Sequence, residues 1–434
     1  MSTTTLAIIA FVMLAVLMYT LISGKVIPVI AFILLPVIAA LAAGFGVKEI
    51  NAFVKTGLNS VLSATVMFMF SITYFNIMND AGFFEPIIRK LIPAGKANVF
   101  IVLLAALATT YVGHLDGSGA TTWMIVLTAF IPLADRIGIR RTALLCIIAT
   151  GMTAANLIPW GGPTLRAASV LEMDVNDLFR YILPSLGIMV LLSVAIAWIV
   201  ALNETKNGAG KTVQSSDAEV IPQQADASFG DPKWIFNALL TAIVLFLLFK
   251  GITTSYLCFM IGVSIALLVN YPDAKEQSKR LKSYAGQAMM MTITLFSVAV
   301  FLGIMKDGGF VKAMATVIVD VIPASLASHT HWLLALLGVP MMMALGTDAF
   351  YYIMLPVIIG VVQPLGIDPL SAAAAFLITG TFGTSIAPGT AAMYVGLGLA
   401  DVDVGTHIKF SIRYLWPFSI ICLLISMLLG IVQF

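Results

Sequence analysis

Charge is scarce in this chain. Only 10% of its 434 residues are Asp, Glu, Lys or Arg, against 60% hydrophobic, where soluble domains carry roughly 25% charged residues. A water-soluble fold of this composition would lack the polar surface to cover itself. The formal net charge of +2 offers no basic excess, and no nucleic-acid partner is expected. Cysteine is rare as well. Cys146, Cys258 and Cys422 lie inside apolar runs, so they form no disulfide framework and reveal no redox compartment. There is no phosphate-cradling Gly-x-x-x-x-Gly-Lys loop, no His pair at helical spacing and no Gly-x-Ser-x-Gly, so neither an enzyme nor a bound cofactor is expected. The apolar run 6–21 lacks a basic leader and is followed by further runs, so it reads as a first membrane span rather than a signal peptide. No lipidation motif occurs.

What the chain has in abundance is apolar runs long enough for helices that cross hydrocarbon, which need about 20 residues each. Ten spans are predicted, near 5–23, 26–45, 59–80, 141–171 and 180–201, then 234–249, 253–269, 287–305, 368–400 and 409–432. Two weaker regions, 97–134 and 330–365, have a polar centre between short apolar arms. They read as re-entrant hairpins, because irregular backbone at membrane depth must be buried in protein or line a cavity. Residues 203–232 are rich in Ser, Gln, Gly and charge and read as a cytoplasmic linker. It divides a first transmembrane repeat, 1–202, from a second, 233–434.

The halves resemble each other. Ile77-Met78-Asn79-Asp80-Ala81-Gly82-Phe83 returns as Ile304-Met305-Lys306-Asp307-Gly308-Gly309-Phe310, Asp116 as Asp348, and Thr150-Gly151 with Pro159 as Thr379-Gly380 with Pro388. Arg180-Tyr181-Ile182-Leu183-Pro184 returns as Arg413-Tyr414-Leu415-Trp416-Pro417, and the offset stays between 227 and 233 residues. Five spans per half make the repeats inverted. Charge agrees: Arg89, Lys90 and Lys96 precede the first hairpin and Arg136, Arg140 and Arg141 follow it, whereas the second hairpin is preceded only by Lys306 and Lys312. The positive-inside rule places the first set in the cytoplasm, with Lys206, Lys211, Lys275, Lys279, Arg280 and Lys282, and both termini outside. The expected fold class is all-α: a polytopic membrane protein of two inverted repeats, each of five spans with a re-entrant hairpin and a broken helix.

Four polar segments sit at membrane depth. The first hairpin tip holds His114, Asp116, Ser118, Gly119, Thr121 and Thr122, and the break in the fourth span holds Asn156, Pro159, Gly161, Gly162, Thr164 and Arg166. The second tip holds Thr347, Asp348 and Tyr351, and the break in the ninth span holds Ser385, Pro388, Gly389 and Thr390. Proline and glycine interrupt helices. The half-helix N-termini then suit anions and the freed carbonyls suit cations, the pattern of a transporter site. Buried carboxylates are costly and usually functional, so Asp116 and Asp348 are candidate metal ligands or, with His114, proton-coupling groups. Each aspartate can also cap a half-helix. Arg166 can grip a carboxylate with two parallel bonds or pair with one of the aspartates. The hydroxyls and glycines of the four segments, with Asn156 and Arg166, are candidate substrate-binding groups.

These residues resemble the citrate–metal–proton symporter (CitMHS) family of the ion transporter superfamily. The resemblance is carried by His114-Leu115-Asp116-Gly117 with Gly119-Ala120-Thr121-Thr122, by Pro159-Trp160-Gly161-Gly162-Pro163-Thr164 with Arg166-Ala167-Ala168-Ser169, and by Asp348-Ala349-Phe350-Tyr351 with Leu355-Pro356. It implies proton-coupled symport of citrate, or a related di- or tricarboxylate, as a complex with a co-transported divalent cation such as magnesium or calcium. It also implies an elevator-like motion of the hairpin-bearing part, a place in the cell inner membrane among its lipids, and a homodimer, although no motif specifies one. Two departures stand out. The family usually has Ser-Asn before the second aspartate, where this chain has Gly346-Thr347, and its last break usually reads Ser-Pro, where this chain has Thr384-Ser385-Ile386-Ala387-Pro388. A sodium-coupled carboxylate symporter and a cation/proton antiporter of the same superfamily stay open as alternatives.

Overall fold

A computed structural model describes residues 1–23, 25–93, 98–210, 229–321, 323, 326 and 328–434. Lys96, Lys211 and most of the expected linker lie outside the described residues. The described chain is helical throughout. Its first half contains α1 (Thr3–Ser23), α2 (Pro28–Ala42), α3 (Val47–Asp80), α4 (Glu85–Leu91), α5 (Val99–Gly113), α6 (Gly119–Ile137), α7 (Arg141–Ala155), α8 (Gly162–Leu171) and α9 (Val175–Lys206). The second contains α10 (Pro232–Lys250), α11 (Ser255–Asn270), α12 (Ala274–Asp307), α13 (Phe310–Val321), α14 (Thr330–Ala335) and α15 (Gly338–Asp348). A π-helix (Ala349–Met354), α16 (Leu355–Val362), α17 (Pro369–Thr384), α18 (Ala391–Ala400) and α19 (Val404–Leu428) complete it. Eight stretches among the described residues are long and apolar enough to cross a membrane. The chain is an all-α, multi-pass membrane protein.

Two helices extend several turns beyond their predicted spans. The third span was expected over 59–80 and the eighth over 287–305, yet α3 and α12 each run 34 residues, from Val47 and from Ala274. The added turns carry Lys48, Glu49 and Lys55 in one and Lys275, Glu276, Lys279, Arg280 and Lys282 in the other. Hydropathy falls where charge begins, whereas a helix ends only where its backbone bonds or caps do. α3 and α12 pack along each other, flanked by α2 and α11. Their contact is tied by Asp80, which accepts from Arg280 Nη1 at 2.7 Å and from the Tyr284 hydroxyl at 2.6 Å. α5, α9 and α19 pack around α7 and α17, α6 packs against α18, α1 against α13 and α10 against α11.

Both interrupted helices have local causes. Between α7 and α8, Pro159 lacks an N–H, and a Cβ on Gly161 would stand 2.2 Å from the Asn156 carbonyl oxygen, so only glycine permits this path. Between α17 and α18 the chain passes Pro388-Gly389. Each following half-helix closes on a non-glycine residue in the left-handed region, Glu172 (φ 54°) after α8 and Asp401 (φ 51°) after α18. Asp174 and Asp403 then cap the N-termini of α9 and α19 with their carboxylates. All three cysteines are buried with free thiols.

Candidate functional site

The tip between α5 and α6 is a closed hydrogen-bonded knot. Gly117 turns the chain in the left-handed region (φ 71°), and the Asp116 carboxylate accepts from the Ser118 N–H at 2.7 Å. Ser118 caps α6, accepting from the N–H and the hydroxyl of Thr121 at 3.3 and 2.9 Å. His114 is buried, with Nδ1 2.7 Å from the Thr122 hydroxyl and Nε2 3.2 Å from Asn156 Oδ1. The first helix break is fastened to this tip by the Trp160 indole, which donates to the Leu115 carbonyl at 2.8 Å, and is closed on itself by the Thr164 hydroxyl, which donates to the Asn156 carbonyl at 3.1 Å. Gly119 lies against Ala392 at the start of α18. The structure therefore brings His114, Asp116, Ser118, Gly119, Thr121, Thr122, Asn156 and Thr164 together, with their polar groups largely engaged by one another.

The second tip is open. Gly346 takes φ 73° and ψ 168°, a region that essentially only glycine occupies. The π-helix then begins one residue after Asp348. The Asp348 carboxylate meets Arg166, with one oxygen, Oδ1, 2.9 Å from Nε and 2.8 Å from Nη2. The side chains are 14% and 22% exposed, so the pair is partly buried yet still reachable. The Arg166 guanidinium also stands 5.7 Å from the centre of the Tyr352 ring, a cation–π contact. A Cβ on Gly162 would fall 2.9 Å from Arg166 Nη1, so that glycine makes room for the folded-back side chain.

Arg166 and Asp348 line a cavity of about 450 Å³ together with Leu21, Pro28, Gly346, Thr347, Pro388, Gly389 and Thr390. That volume falls within the usual range for small-molecule sites, about 300–1,000 Å³. The Thr390 hydroxyl donates to the Thr384 carbonyl at 2.9 Å, and the buried Ser385 hydroxyl contacts Met152 Sδ at 3.3 Å. Tyr351 is fully buried away from the cavity lining, and its hydroxyl has no hydrogen-bond partner among the described residues. The aromatic ring beside Arg166 belongs to Tyr352, which sequence reasoning missed. Among the described residues no three His, Cys, Asp or Glu side chains converge as a metal site. A hard cation held here would take further oxygens from its cargo or from water, as magnesium commonly does.

Interrupted helices, a partly buried arginine–carboxylate pair and a cavity at their junction, in a multi-pass helical chain, define a membrane transporter. The profile of the CitMHS family, described as citrate transporter, matches residues 1–380, and the chain belongs to that family. It is 33% identical over 432 residues to a citrate transporter of Bacillus subtilis (strain 168), spanning 99% of this chain and 100% of the relative. It is 31% identical over 430 residues to that organism's "Mg(2+)/citrate complex secondary transporter", spanning 99% of each. The crystal structure of the Alcanivorax borkumensis YdaH transporter superposes with a TM-score of 0.60 at 16% identity, over 88% of this chain and 87% of that one, which shows a shared fold. The chain is thus a secondary transporter and not an enzyme.

Proposed function

We propose that this protein is a proton-coupled symporter that carries citrate, or a related di- or tricarboxylate, as a complex with a divalent cation such as magnesium or calcium across the cell inner membrane. The observation that carries the reading is the Arg166–Asp348 pair in the wall of the cavity. A guanidinium suits a carboxylate, a carboxylate suits a hard cation, and a citrate–metal complex presents both. Complexation with a divalent ion reduces the trianion to a single net negative charge, which is far cheaper to remove from water. Thr347, Thr390 and the backbone at Gly389 supply further polar contacts. Asp116 and His114, in the closed tip, are the second carboxylate and the titratable ring available for metal or proton coupling.

We read the architecture as two inverted repeats, 1–202 and 233–434, joined by a cytoplasmic linker, each with a re-entrant hairpin and a broken helix. The matched lengths of α3 and α12 and the equivalent breaks before α8 and α18 support this. Side-chain contacts fit the charge-based orientation. Asp80–Arg280, Arg140–Glu204 and Arg141 on the Ala400 carbonyl fall on the cytoplasmic side. Glu172–Lys306, Tyr181 on the Ile431 carbonyl and Gln433 on the Asp368 N–H fall outside. On this orientation Leu21 and Pro28, which line the cavity, belong to the cytoplasmic ends of α1 and α2, which fits an inward-facing conformation.

The test is radiolabelled citrate uptake in proteoliposomes with magnesium, calcium and sodium varied separately. Uptake should require a divalent cation and dissipate a pH gradient. Uptake unaffected by a chelator overturns metal–citrate symport. Dependence on sodium favours the sodium-coupled alternative, and cation exchange without carboxylate favours an antiporter.

A further inference from the structure

The cavity carries its own carboxylate. Arg166 reaches it from α8 and Asp348 from the tip after α15, and a single oxygen of Asp348 takes both guanidinium bonds, at 2.9 and 2.8 Å. The donor edge that a cargo carboxylate would seek is therefore already filled. We propose that Asp348 is an internal stand-in for the cargo carboxylate, and that exchange of this ion pair is what selects a metal-bound cargo over the free carboxylate. The inference rests on the cargo reading given above and adds the means of selection.

Charge pairing gives the reason. A bare polycarboxylate that displaces Asp348 from Arg166 leaves the aspartate unpaired beside the incoming carboxylates, with like charges facing each other away from bulk water. A cargo that brings a divalent cation brings Asp348 a new partner. Arg166 passes from the aspartate to the cargo carboxylate, and Asp348 passes from the arginine to the cation. Neither charge is bare at the end of the exchange. The cation alone is also disfavoured, because the described residues gather no three-ligand acidic or histidine site and Asp348 is held by Arg166. Asp348 itself lines the cavity and is 22% exposed, so its carboxylate has space into which it can turn from the guanidinium.

Binding to the purified full-length protein tests the exchange, with citrate and Mg2+ as probes, each alone and together. The native protein should bind the two together and each alone weakly. Asp348→Asn uncovers Arg166, so citrate in the presence of a chelator should bind about tenfold tighter than to the native protein, a coupling of ordinary size. Arg166→Gln releases Asp348, so Mg2+ alone should bind tighter by a similar factor. The exchange is overturned if folded Asp348→Asn keeps the native ratio of citrate affinities with and without Mg2+, or loses citrate under both conditions. Should the Asn variant fail to fold, unchanged Mg2+ affinity in Arg166→Gln overturns it. A native protein that binds no citrate even with Mg2+ refutes the cargo reading instead.

Discussion

Gly57 on α3 and Gly303 on α12 bring the two longest helices into direct backbone contact. A Cβ on Gly57 would lie 2.0 Å from the Ala299 carbonyl oxygen, and one on Gly303 would lie 2.1 Å from that of Phe53. Membrane helices approach this closely only through very small residues. Gly57→Val and Gly303→Val should each force the helices apart, at a cost of about 1–3 kcal/mol. Thermal unfolding of the purified variants measures it. Melting points equal to the native value would sink the assignment of this crossing as a fixed contact.

Arg166→Ala should reduce citrate uptake in vesicles to background, because the loss of one partner of a desolvated charge pair costs about 2–5 kcal/mol. Arg166→Lys should recover part of it, since an ammonium keeps the charge but not the planar fork. Native-like uptake by the Ala variant would remove Arg166 from the binding site.

Glu204 is 1% exposed and accepts from three donor groups of Arg140: the backbone N–H at 3.0 Å, Nε at 3.0 and 3.2 Å to its two oxygens, and Nη2 at 2.5 Å. It fastens the end of α9 to the start of α7. Glu204→Ala leaves a guanidinium and an N–H without their acceptor, and should destabilise the fold by about 1.5–3 kcal/mol. Glu204→Gln should cost less. An Ala variant that melts with the native protein contradicts this.

Lys306 at the end of α12 pairs with Glu172, which closes α8. If the broken-helix body slides against α3 and α12 during transport, this contact must part. A short bifunctional thiol cross-linker applied to Glu172→Cys/Lys306→Cys should arrest uptake. Undiminished uptake by the fully cross-linked protein would mean that α8 and α12 move together.

Much of this was legible in the sequence, for reasons that also mark where reading stops. Pro159, Gly161, Pro388 and Gly389 act through their own backbones, so the breaks could be placed from residue identity alone. The N-terminal turns of α3 and α12 could not, because charges that end a hydropathy run do not end a helix. The short helices α4 and α13 fell between predicted spans for want of length. Tyr351 and Tyr352 show a subtler failure. Both are adjacent to the second tip in sequence, and the π-helix over Ala349–Met354 sets the rotation that puts Tyr352 on Arg166 and Tyr351 in the core. A wider turn leaves no trace in apolar periodicity. The pairing of Arg166 with Asp348 joins positions 182 residues apart, and single-sequence reasoning offered it only as one of two roles for the arginine.

The burial of Cys146, Cys258 and Cys422 has a practical consequence. With these thiols buried, the native chain should give little background with water-borne thiol reagents. Single cysteines introduced at the cavity mouth or at the Glu172–Lys306 contact can carry spin labels or fluorophores without prior removal of native thiols. Inter-helix distances can then be followed through the transport cycle in a protein that is otherwise unaltered.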